Sequence, residues 1–331
     1  MSDAKMPEHQ ATSETHAEHE LIQTFKDIPR KDLFVGGTGM CAGCGAQLGL
    51  KYVLKALGKN TMIVNASGCL TLMPLYPNTP FKVPWLHLAI ENAGAAASGI
   101  RHALRAAEKP AKGKKGAAIH PEHEKIQVVC YAGDGATYDI GLQSLSSALH
   151  RGDDFIYICY NNESFSNTGV QQSSATPHGA YTTTTPSGNP LYAKAMTKIA
   201  ASHGIPYVAT ANVAYPLDFI AKLQKAAKLP GPKFIDLLTP CPTGWGFEGD
   251  NTIEVGRMAT ETGLWPLYEI EKLGEKQRFI LTLKPTHLRP VSNYFSMQRR
   301  FKHLTPQKTE EIQSAINKRW LSLCKGDFWN S

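Results

Sequence analysis

Apolar runs and amphipathic stretches alternate along most of this chain. Continuous apolar runs, typical of strands that are buried on both faces of a sheet, occupy residues 61–69, 126–133, 154–162, 206–213 and 232–241. Helical spacing of apolar residues occupies residues 46–58, 86–108, 138–152, 190–204 and 216–231. Because strands that alternate with helices usually build a parallel sheet covered on both faces, the pattern predicts an α/β fold with a doubly wound, mainly parallel sheet.

Three segments fall outside this alternation. Residues 1–20 are polar and lack an apolar run, which predicts a disordered tail and no signal peptide. Residues 109–125 are rich in Lys, Pro and Gly and predict a flexible insertion. The chain after residue 270 mixes aromatic and basic residues, and we expect residues 271–331 to form an arm that packs on the domain or on a partner. The α/β domain is therefore expected to span residues 21–270.

Composition narrows the class of protein. The 331 residues are 42% hydrophobic and 19% charged, as in ordinary globular proteins. The formal net charge of +7 comes without a dense Lys/Arg run, so nucleic-acid binding is not expected. No run of 18 apolar residues occurs, so no membrane span is predicted. We expect a cytoplasmic protein, in which stable disulfides are rare, and interpret its seven cysteines as thiols or metal ligands.

A short glycine-rich segment suits a phosphate site, although such a triplet by itself is as often only a turn. Gly133, Asp134 and Gly135 stand where a predicted strand ends and a helix begins. Glycines there let the backbone approach a phosphate group, and the helix N-terminus supplies free N–H donors. Tyr138 stands where the third glycine of a dinucleotide fingerprint would be, and no P-loop occurs. The segment therefore predicts a phosphate-binding turn of another kind.

A pair of asparagines strengthens this prediction. Asn161 and Asn162 end the next strand, 28 residues after Asp134. If the two strands are parallel neighbours, Asp134 and Asn162 meet at one edge of the sheet. Carboxylate and amide oxygens suit Mg²⁺, which completes its shell with phosphate oxygens and water. The alternative is that the asparagines only cap a turn.

Four cysteines lie in predicted loops rich in Gly and Pro: Cys41, Cys44, Cys69 and Cys241. Four thiolates suit an iron–sulfur cluster or zinc, and a CxxC by itself also suits a redox dithiol. Cys130 and Cys159 fall inside predicted buried strands and are expected to be packing residues. Cys324 has no assigned partner.

Several longer stretches resemble one enzyme family. "GDGATYDIG", "NTGVQQSSATP" and "VPWLHLAIENAGAAASGI" are similar to segments of the β subunits of 2-oxoacid:ferredoxin oxidoreductases, the pyruvate:ferredoxin type in particular. GDG followed by the asparagine pair resembles the thiamine diphosphate motif. The resemblance covers about residues 30–300. It implies a thiamine diphosphate-binding fold of the diphosphate-binding type.

The resemblance also assigns cofactors to residues. It implies Mg²⁺ bound by Asp134, Asn162 and the carbonyl of Ser164, and a [4Fe–4S] cluster bound by the four loop cysteines. The thiamine motif favours the cluster, because a redox-inert zinc would accept no electrons from a decarboxylase. The remaining expected cofactor contacts are Gly68, Gly133, Gly135, Asn167 and Thr168. One departure is Ala46, which replaces a glutamate found in some relatives, so no cofactor contact is assigned there.

Two residues are candidates for catalysis. Asn167 is expected to lie near the thiazolium and the substrate. His87 follows "VPW" and could line the cofactor cavity, although a satisfied core histidine is the alternative. Glu91 is a weaker candidate acid, for which a structural carboxylate is the alternative.

The resemblance implies oxidative decarboxylation of a 2-oxo acid to acyl-CoA and CO₂. Pyruvate is the default substrate, with branched-chain or aryl acids such as phenylglyoxylate as further options. Electrons would pass from thiamine diphosphate to the cluster and on to ferredoxin or NAD. Because the chain has length for only one such domain, an α subunit is expected to supply the pyrimidine-binding domain and the catalytic glutamate, beside γ and ferredoxin-like δ subunits. The alternatives are a cluster-free thiamine decarboxylase or synthase and a non-catalytic zinc-binding assembly subunit.

Overall fold

A computed structural model describes residues 22–74, 79–107 and 126–331. The predicted tail (1–20) and the predicted insertion (109–125) lie outside the described residues. In the part of the chain that is described, no helix is both long and apolar enough to span a bilayer.

One eight-stranded sheet organises the described residues. Its strands are β1 (Thr61–Ala66), β2 (Trp85–Leu88), β3 (Gln127–Gly133), β4 (Ile156–Asn161), β5 (Tyr207–Asn212), β6 (Lys233–Leu238), β7 (Tyr268–Leu273) and β8 (Lys276–Leu281). The spatial order is β2-β1-β3-β4-β6-β5-β7-β8. The first six strands in that order are parallel, and β7 and β8 are antiparallel at one edge. This confirms the predicted doubly wound, mainly parallel sheet.

Helices cover both faces of the sheet. They are α1 (Gly45–Leu57), α2 (Ala93–Ala107), α3 (Leu142–Arg151), α4 (Met196–Ser202), α5 (Pro216–Lys228), α6 (Pro242–Trp245), α7 (Thr252–Glu261), α8 (Val291–Ser296) and α9 (Pro306–Cys324), with a π-helix at Gly135–Ile140. The helices α1 and α5 pack in the core on one face, and α2, α3 and α4 in the core on the other. Successive residues of β3 point into opposite cores, because side chains alternate along a strand. This alternation explains why the strand is apolar throughout.

The predicted helix over 86–108 is wrong in its first part. Residues Trp85–Leu88 form an edge strand that pairs in register with β1, and the helix begins only at Ala93. The helix predicted over 190–204 likewise begins late, at Met196. In the first of these segments local apolar spacing favoured a helix, but pairing with a neighbouring strand decided the structure, as tertiary context often does.

The C-terminal segment shares the sheet with the rest of the domain. The boundary expected between residues 270 and 271 falls inside β7, which pairs with β5 and with β8. Beyond this hairpin, α9 packs through Ile312 and Ile316 into a third core that also contains Trp245. The chain from residue 268 onwards therefore contributes two strands as well as helices.

Candidate functional site

The predicted cofactor residues meet where three parallel strands end. Gly68 follows β1, Gly133 closes β3, and Asn162 follows β4. A cavity of about 360 Å³ at this edge is lined by nine residues that the sequence singled out: Gly68, Cys69, Gly133, Asp134, Gly135, Asn162, Ser164, Asn167 and Thr168. Since β3 and β4 are adjacent, the expected meeting of Asp134 and Asn162 occurs, and the Asn162 N–H donates to Asp134 Oδ1 at 3.2 Å.

Two glycines at this edge of the sheet stand where a larger side chain would clash with its neighbours. A Cβ at Gly135 would lie 2.2 Å from the ring of Phe165, and one at Gly68 would lie 2.6 Å from Tyr160 Oη. Both distances are far below van der Waals contact. Phe165 and Tyr160 therefore fix the backbone close to the cavity, a role that the motif alone did not reveal.

Asp134 is fully buried at the centre of this edge. Its Oδ2 accepts a short hydrogen bond from Ser173 Oγ. Burial raises the pKa of Asp134 to about 8, so without a cation the carboxyl is mostly neutral at pH 7. A bound divalent cation would favour the ionised form.

Three oxygen acceptors converge at this point, one of them from Asp134. Asn162 Oδ1 lies 3.0 Å from Asp134 Oδ1 and 2.8 Å from the carbonyl oxygen of Ser164. Acceptors this close are satisfied in one of two ways: the amide turns over to present its NH₂, or a cation lies among the three oxygens. The second arrangement uses the same oxygen types that hard cations prefer.

The four loop cysteines gather next to this cavity. Cys41 and Cys44 precede α1, Cys69 follows β1, and Cys241 caps the N-terminus of α6. Burial, and then the charges of the neighbouring cysteines and of Asp134, raise the pKa of Cys69 to about 12. Burial likewise raises the pKa of Cys44 to about 11. The structure therefore brings the predicted cysteines together, and Cys44 and Cys69 would stay protonated without a metal.

Protein groups donate hydrogen bonds to the sulfur atoms, among them Asn162 Nδ2, which lies 3.8 Å from Cys69 Sγ. The Gly244 N–H donates to Cys241 Sγ at 3.3 Å, and Thr243 Oγ1 donates to Cys41 Sγ at 3.6 Å. Among the described residues, no three His, Cys, Asp or Glu side chains are close enough to hold one metal ion. A four-iron cluster spaces its cysteines more widely than a single ion does. Cys130 and Cys159 lie buried in β3 and β4, away from this group.

The CxxC loop depends on Gly43. This residue has φ +72°, and a Cβ there would lie 2.1 Å from the Gly249 carbonyl oxygen. We expect Gly43→Ala to lower the free energy of unfolding by at least about 2 kcal/mol, from backbone strain and overpacking. Urea unfolding followed by circular dichroism measures it. Gly36→Ala is the control, since a Cβ at Gly36 meets nothing within 4 Å; equal stability of the two variants would contradict the prediction.

His87 does not line the cofactor cavity. Its Nε2 lies 3.1 Å from Ser67 Oγ and its Nδ1 lies 3.1 Å from Asn65 Oδ1, and burial lowers its pKa. Ser67 does line the cavity. His87 thus reaches the cavity only through Ser67, and Glu91 is also outside the lining set.

The sequence did not reveal the role of Trp245. Its indole N–H donates to the backbone carbonyl of Asn162 at 2.8 Å. Trp245 ends the short helix that Cys241 begins. The guanidinium of Arg300 lies 3.8 Å from the Trp245 ring centre and pairs with Glu163 Oε2 at 2.6 Å. One tryptophan therefore joins the Cys241 loop to the Asn162 loop; the only sequence signal was its place in "TPCPTGW".

A second buried acid lies behind the Asn162 loop. Asp236 accepts hydrogen bonds from Tyr138 Oη and from Asn161 Nδ2, and burial raises its pKa to about 7. The folded state therefore holds a proton that the unfolded state releases above pH 4. Stability from this group is complete at low pH and falls by up to about 1.4 kcal/mol per pH unit until pH 7.

We expect Asp236→Asn to flatten this dependence. The measurement is the free energy of unfolding in urea at pH 5 and at pH 8, with Asp327→Asn, an exposed carboxyl, as the control. An unchanged difference between the two pH values in Asp236→Asn would show that Asp236 does not carry the proton.

A match to a family model assigns this fold and its glycine-lined cavity to a class of enzyme domain. Residues 66–237 match the family model described as thiamine pyrophosphate enzyme, C-terminal TPP binding domain. The structure is also similar to a 2-oxoglutarate:ferredoxin oxidoreductase from Magnetococcus marinus, with a TM-score of 0.53 and 22% identity, over 64% of this chain and 67% of that one. That likeness supports the fold.

Curated relatives narrow the class further. The chain is 50% identical to pyruvate synthase subunit PorB of Methanocaldococcus jannaschii, over 88% of this chain and 96% of that protein. It is 43% identical to ketoisovalerate oxidoreductase subunit VorB of Pyrococcus abyssi, over 90% and 94% respectively. The chain belongs to the 2-oxoacid:ferredoxin oxidoreductase family, as a β subunit. It is thus one subunit of a larger enzyme that uses thiamine diphosphate.

Proposed function

We propose that this chain is the β subunit of a CoA-acylating pyruvate oxidoreductase. The assembled enzyme would convert pyruvate, CoA and an oxidised acceptor, ferredoxin or NAD, to acetyl-CoA, CO₂ and the reduced acceptor. The observation that carries the proposal is the common cavity wall of Asp134, Asn162 and Cys69, which sets the proposed diphosphate site against the proposed cluster site. The 50% identical relative is named as a pyruvate synthase subunit, which favours pyruvate over branched-chain and aryl acids.

The residues of the cavity would hold the cofactor through Mg²⁺. Asp134, Asn162 and the Ser164 carbonyl offer three converging oxygens. The backbone at Gly133 and Gly135 leaves room for the diphosphate. Bound thiamine diphosphate supplies the electron sink for decarboxylation. Asn167 and Thr168, which line the same cavity, would orient the thiazolium and the substrate.

The four cysteines would hold a [4Fe–4S] cluster that accepts the electrons. Their thiols must lose protons to bind iron, and the raised pKa values of Cys44 and Cys69 mean that cluster insertion releases protons. The N–H of Gly244 and the hydroxyl of Thr243 would donate to bound sulfur. Donors of this kind tune the reduction potential of a cluster.

Partner subunits would complete the site. The described residues of this chain form one doubly wound sheet, whereas the activating glutamate would come from an α subunit with a pyrimidine-binding domain. Leu72 and Ile140 are exposed, and they lie on the two short helices that start at the cavity, Cys69–Leu72 and Gly135–Ile140. A partner that covers this apolar rim would also exclude water. The γ and ferredoxin-like δ subunits would carry electrons onward.

Metal content and spectrum test this proposal. The assembled complex is purified without oxygen, and iron, sulfide and zinc are counted in the wild type, Cys69→Ser and the control Cys324→Ser. We expect Cys69→Ser to lack a cluster that Cys324→Ser retains. Visible absorbance is then recorded with CoA and each of pyruvate, 2-oxoisovalerate and phenylglyoxylate. Bleaching with pyruvate would support the assignment, bleaching only with another acid would change the substrate, and zinc without iron would refute the electron route.

A further inference from the structure

A second cavity lies on the opposite side of the Asn162 loop. It encloses about 400 Å³ between α9, the segment before α4 and strands β5 and β6. Small-molecule sites have volumes of about this size. Its wall includes Asn161, Asp236, Trp265 and Arg319, and it shares no lining residue with the diphosphate cavity.

Arg319 gives this cavity a positive wall. Its Nη2 donates to the carbonyl oxygens of Gly263 at 2.7 Å and Leu264 at 2.6 Å, whereas its Nε is buried and makes no hydrogen bond. Within the described ranges, no carboxylate forms an ion pair with Arg319. The buried Arg300, by contrast, is paired with Glu163. The Arg319 side chain is part-buried and has no carboxylate partner there, so an anion that enters the cavity would find a ready partner.

A second cation stands at the same wall. Lys198 also lines the cavity, and its pKa is lowered by burial and then by the charge of Arg319. Its Nζ donates to the carbonyl oxygen of Trp329 at 3.2 Å and to an oxygen of Ser331 at 2.6 Å, so Lys198 adds positive charge to the wall but is already hydrogen-bonded. Of the carboxyl groups on the same wall, Glu163 is paired with Arg300 and burial raises the pKa of Asp236 to about 7, so Arg319 still favours an anionic group over a neutral one.

The rest of the cavity suits an apolar body. Trp265, Tyr268, Phe295 and Phe328 supply aromatic surface, and Ile316 of α9 adds aliphatic surface. Apolar walls with a few placed polar groups are typical of sites for small organic ligands. The fitting ligand is a small carboxylate with an aromatic or branched hydrocarbon body.

The cavity is joined to the cofactor site through one stretch of chain. Asn161 and Glu163 line the second cavity, whereas Asn162 and Ser164 line the diphosphate cavity. Consecutive residues of this loop therefore face different cavities. A ligand in the second cavity would contact Asn161 and Glu163, and through the shared backbone would order Asn162, which lies between them.

We propose that this second cavity binds a small organic carboxylate with an apolar body, and that its occupation raises the affinity for thiamine diphosphate. The carboxylate pairs with Arg319, and the hydrocarbon body packs on Trp265 and Tyr268. The coupling is reciprocal, so bound thiamine diphosphate raises the affinity of the second cavity for the carboxylate by the same factor. The binding part of this inference does not depend on which 2-oxo acid is the substrate.

Binding of 3-phenylpropionate to the assembled complex tests the site. Isothermal titration compares this probe with the neutral 3-phenylpropanamide. We expect the amide to bind at least about tenfold more weakly, since hydrogen bonds to charged groups contribute about 1.5–3 kcal/mol. Arg319→Gln should weaken binding of 3-phenylpropionate by a similar factor. Lys318→Gln, which removes an exposed cation on the same helix, should leave this binding unchanged.

A variant that fills the cavity provides a second test if Arg319→Gln does not fold. Ala315 lines the cavity, and Ala315→Trp should abolish probe binding while Arg319 is retained. No saturable binding to the wild-type complex, equal binding of acid and amide, or unchanged binding to Ala315→Trp would each overturn the site. Loss of the site with pyruvate-dependent bleaching intact would leave the proposed function standing.

Coupling is measured by titrating thiamine diphosphate and Mg²⁺ with and without saturating 3-phenylpropionate. A severalfold lower Kd for thiamine diphosphate is expected with the probe present. An unchanged Kd would overturn the coupling, and a higher Kd would reverse its sign. The same pair of titrations on Lys318→Gln should reproduce the wild-type result.

Discussion

Replacement of Arg300 by Met should lower the free energy of unfolding by about 3–5 kcal/mol. Arg300 and Glu163 are both buried, and their ion pair spans 2.6 Å between Nη2 and Oε2. The Met side chain would leave the Glu163 carboxylate buried without a counter-ion, and the guanidinium that lies over Trp245 would be lost as well. Burial already raises the pKa of Glu163, so the variant should bind a proton there at neutral pH.

Urea unfolding of the matched variant Arg299→Met separates this effect from a general loss of charge. Arg299 is exposed, and its replacement should change the free energy of unfolding by no more than about 0.5 kcal/mol. The double variant Arg300→Met/Glu163→Gln should recover part of the loss, because the unpaired charge is gone. If the two single arginine variants were equally stable, the buried pair would contribute nothing.

Replacement of Asp134 by Asn should weaken Mg²⁺-dependent binding of thiamine diphosphate by more than about 100-fold. Loss of an outer partner of a metal ligand already costs about 10–100-fold, and Asp134 supplies the only carboxylate among the three converging oxygens. The Asn side chain keeps the shape but lacks the charge that offsets the cation. Activity of the assembled complex should fall in parallel at subsaturating cofactor.

Equilibrium binding of thiamine diphosphate at several Mg²⁺ concentrations measures this loss. Ser173→Ala, which removes the hydroxyl that donates to Asp134, should give an intermediate loss of about 10–100-fold. Asp327→Asn, which changes an exposed carboxyl outside the cavity, should bind as the wild type does. Wild-type affinity in Asp134→Asn would refute the magnesium assignment.

Most of the sheet could be predicted because its strands are buried on both faces. Segments such as 126–133 are apolar throughout, and an apolar run bounded by glycine is typical of a buried parallel strand. The edge strand Trp85–Leu88 was missed because its one pairing, with β1, is a contact that local spacing does not encode. The antiparallel strands β7 and β8 were missed for a similar reason, since their charged residues do not form an apolar run.

The cofactor edge was predictable for a geometric reason. Parallel strands bring their carboxyl ends to one side, so Asp134 and Asn162 had to meet once their strands were adjacent. The support behind them was not predictable, because Trp245 and Arg300 reach Asn162 and Glu163 across 83 and 137 residues of chain. Contacts of this kind leave no periodic signal in a single sequence.

Trp245 links the Cys241 turn to the Asn162 loop, and this link bears on how oxygen would inactivate the subunit. Trp245 is set in place by the turn that Cys241 begins, and it holds the carbonyl of Asn162. If Cys241 binds the proposed cluster, oxidative loss of that cluster would free Cys241, loosen that turn and withdraw the support of the Asn162 loop. A subunit damaged by oxygen is therefore expected to release thiamine diphosphate as well. Decarboxylation of the substrate would then stop once the proposed electron acceptor is lost.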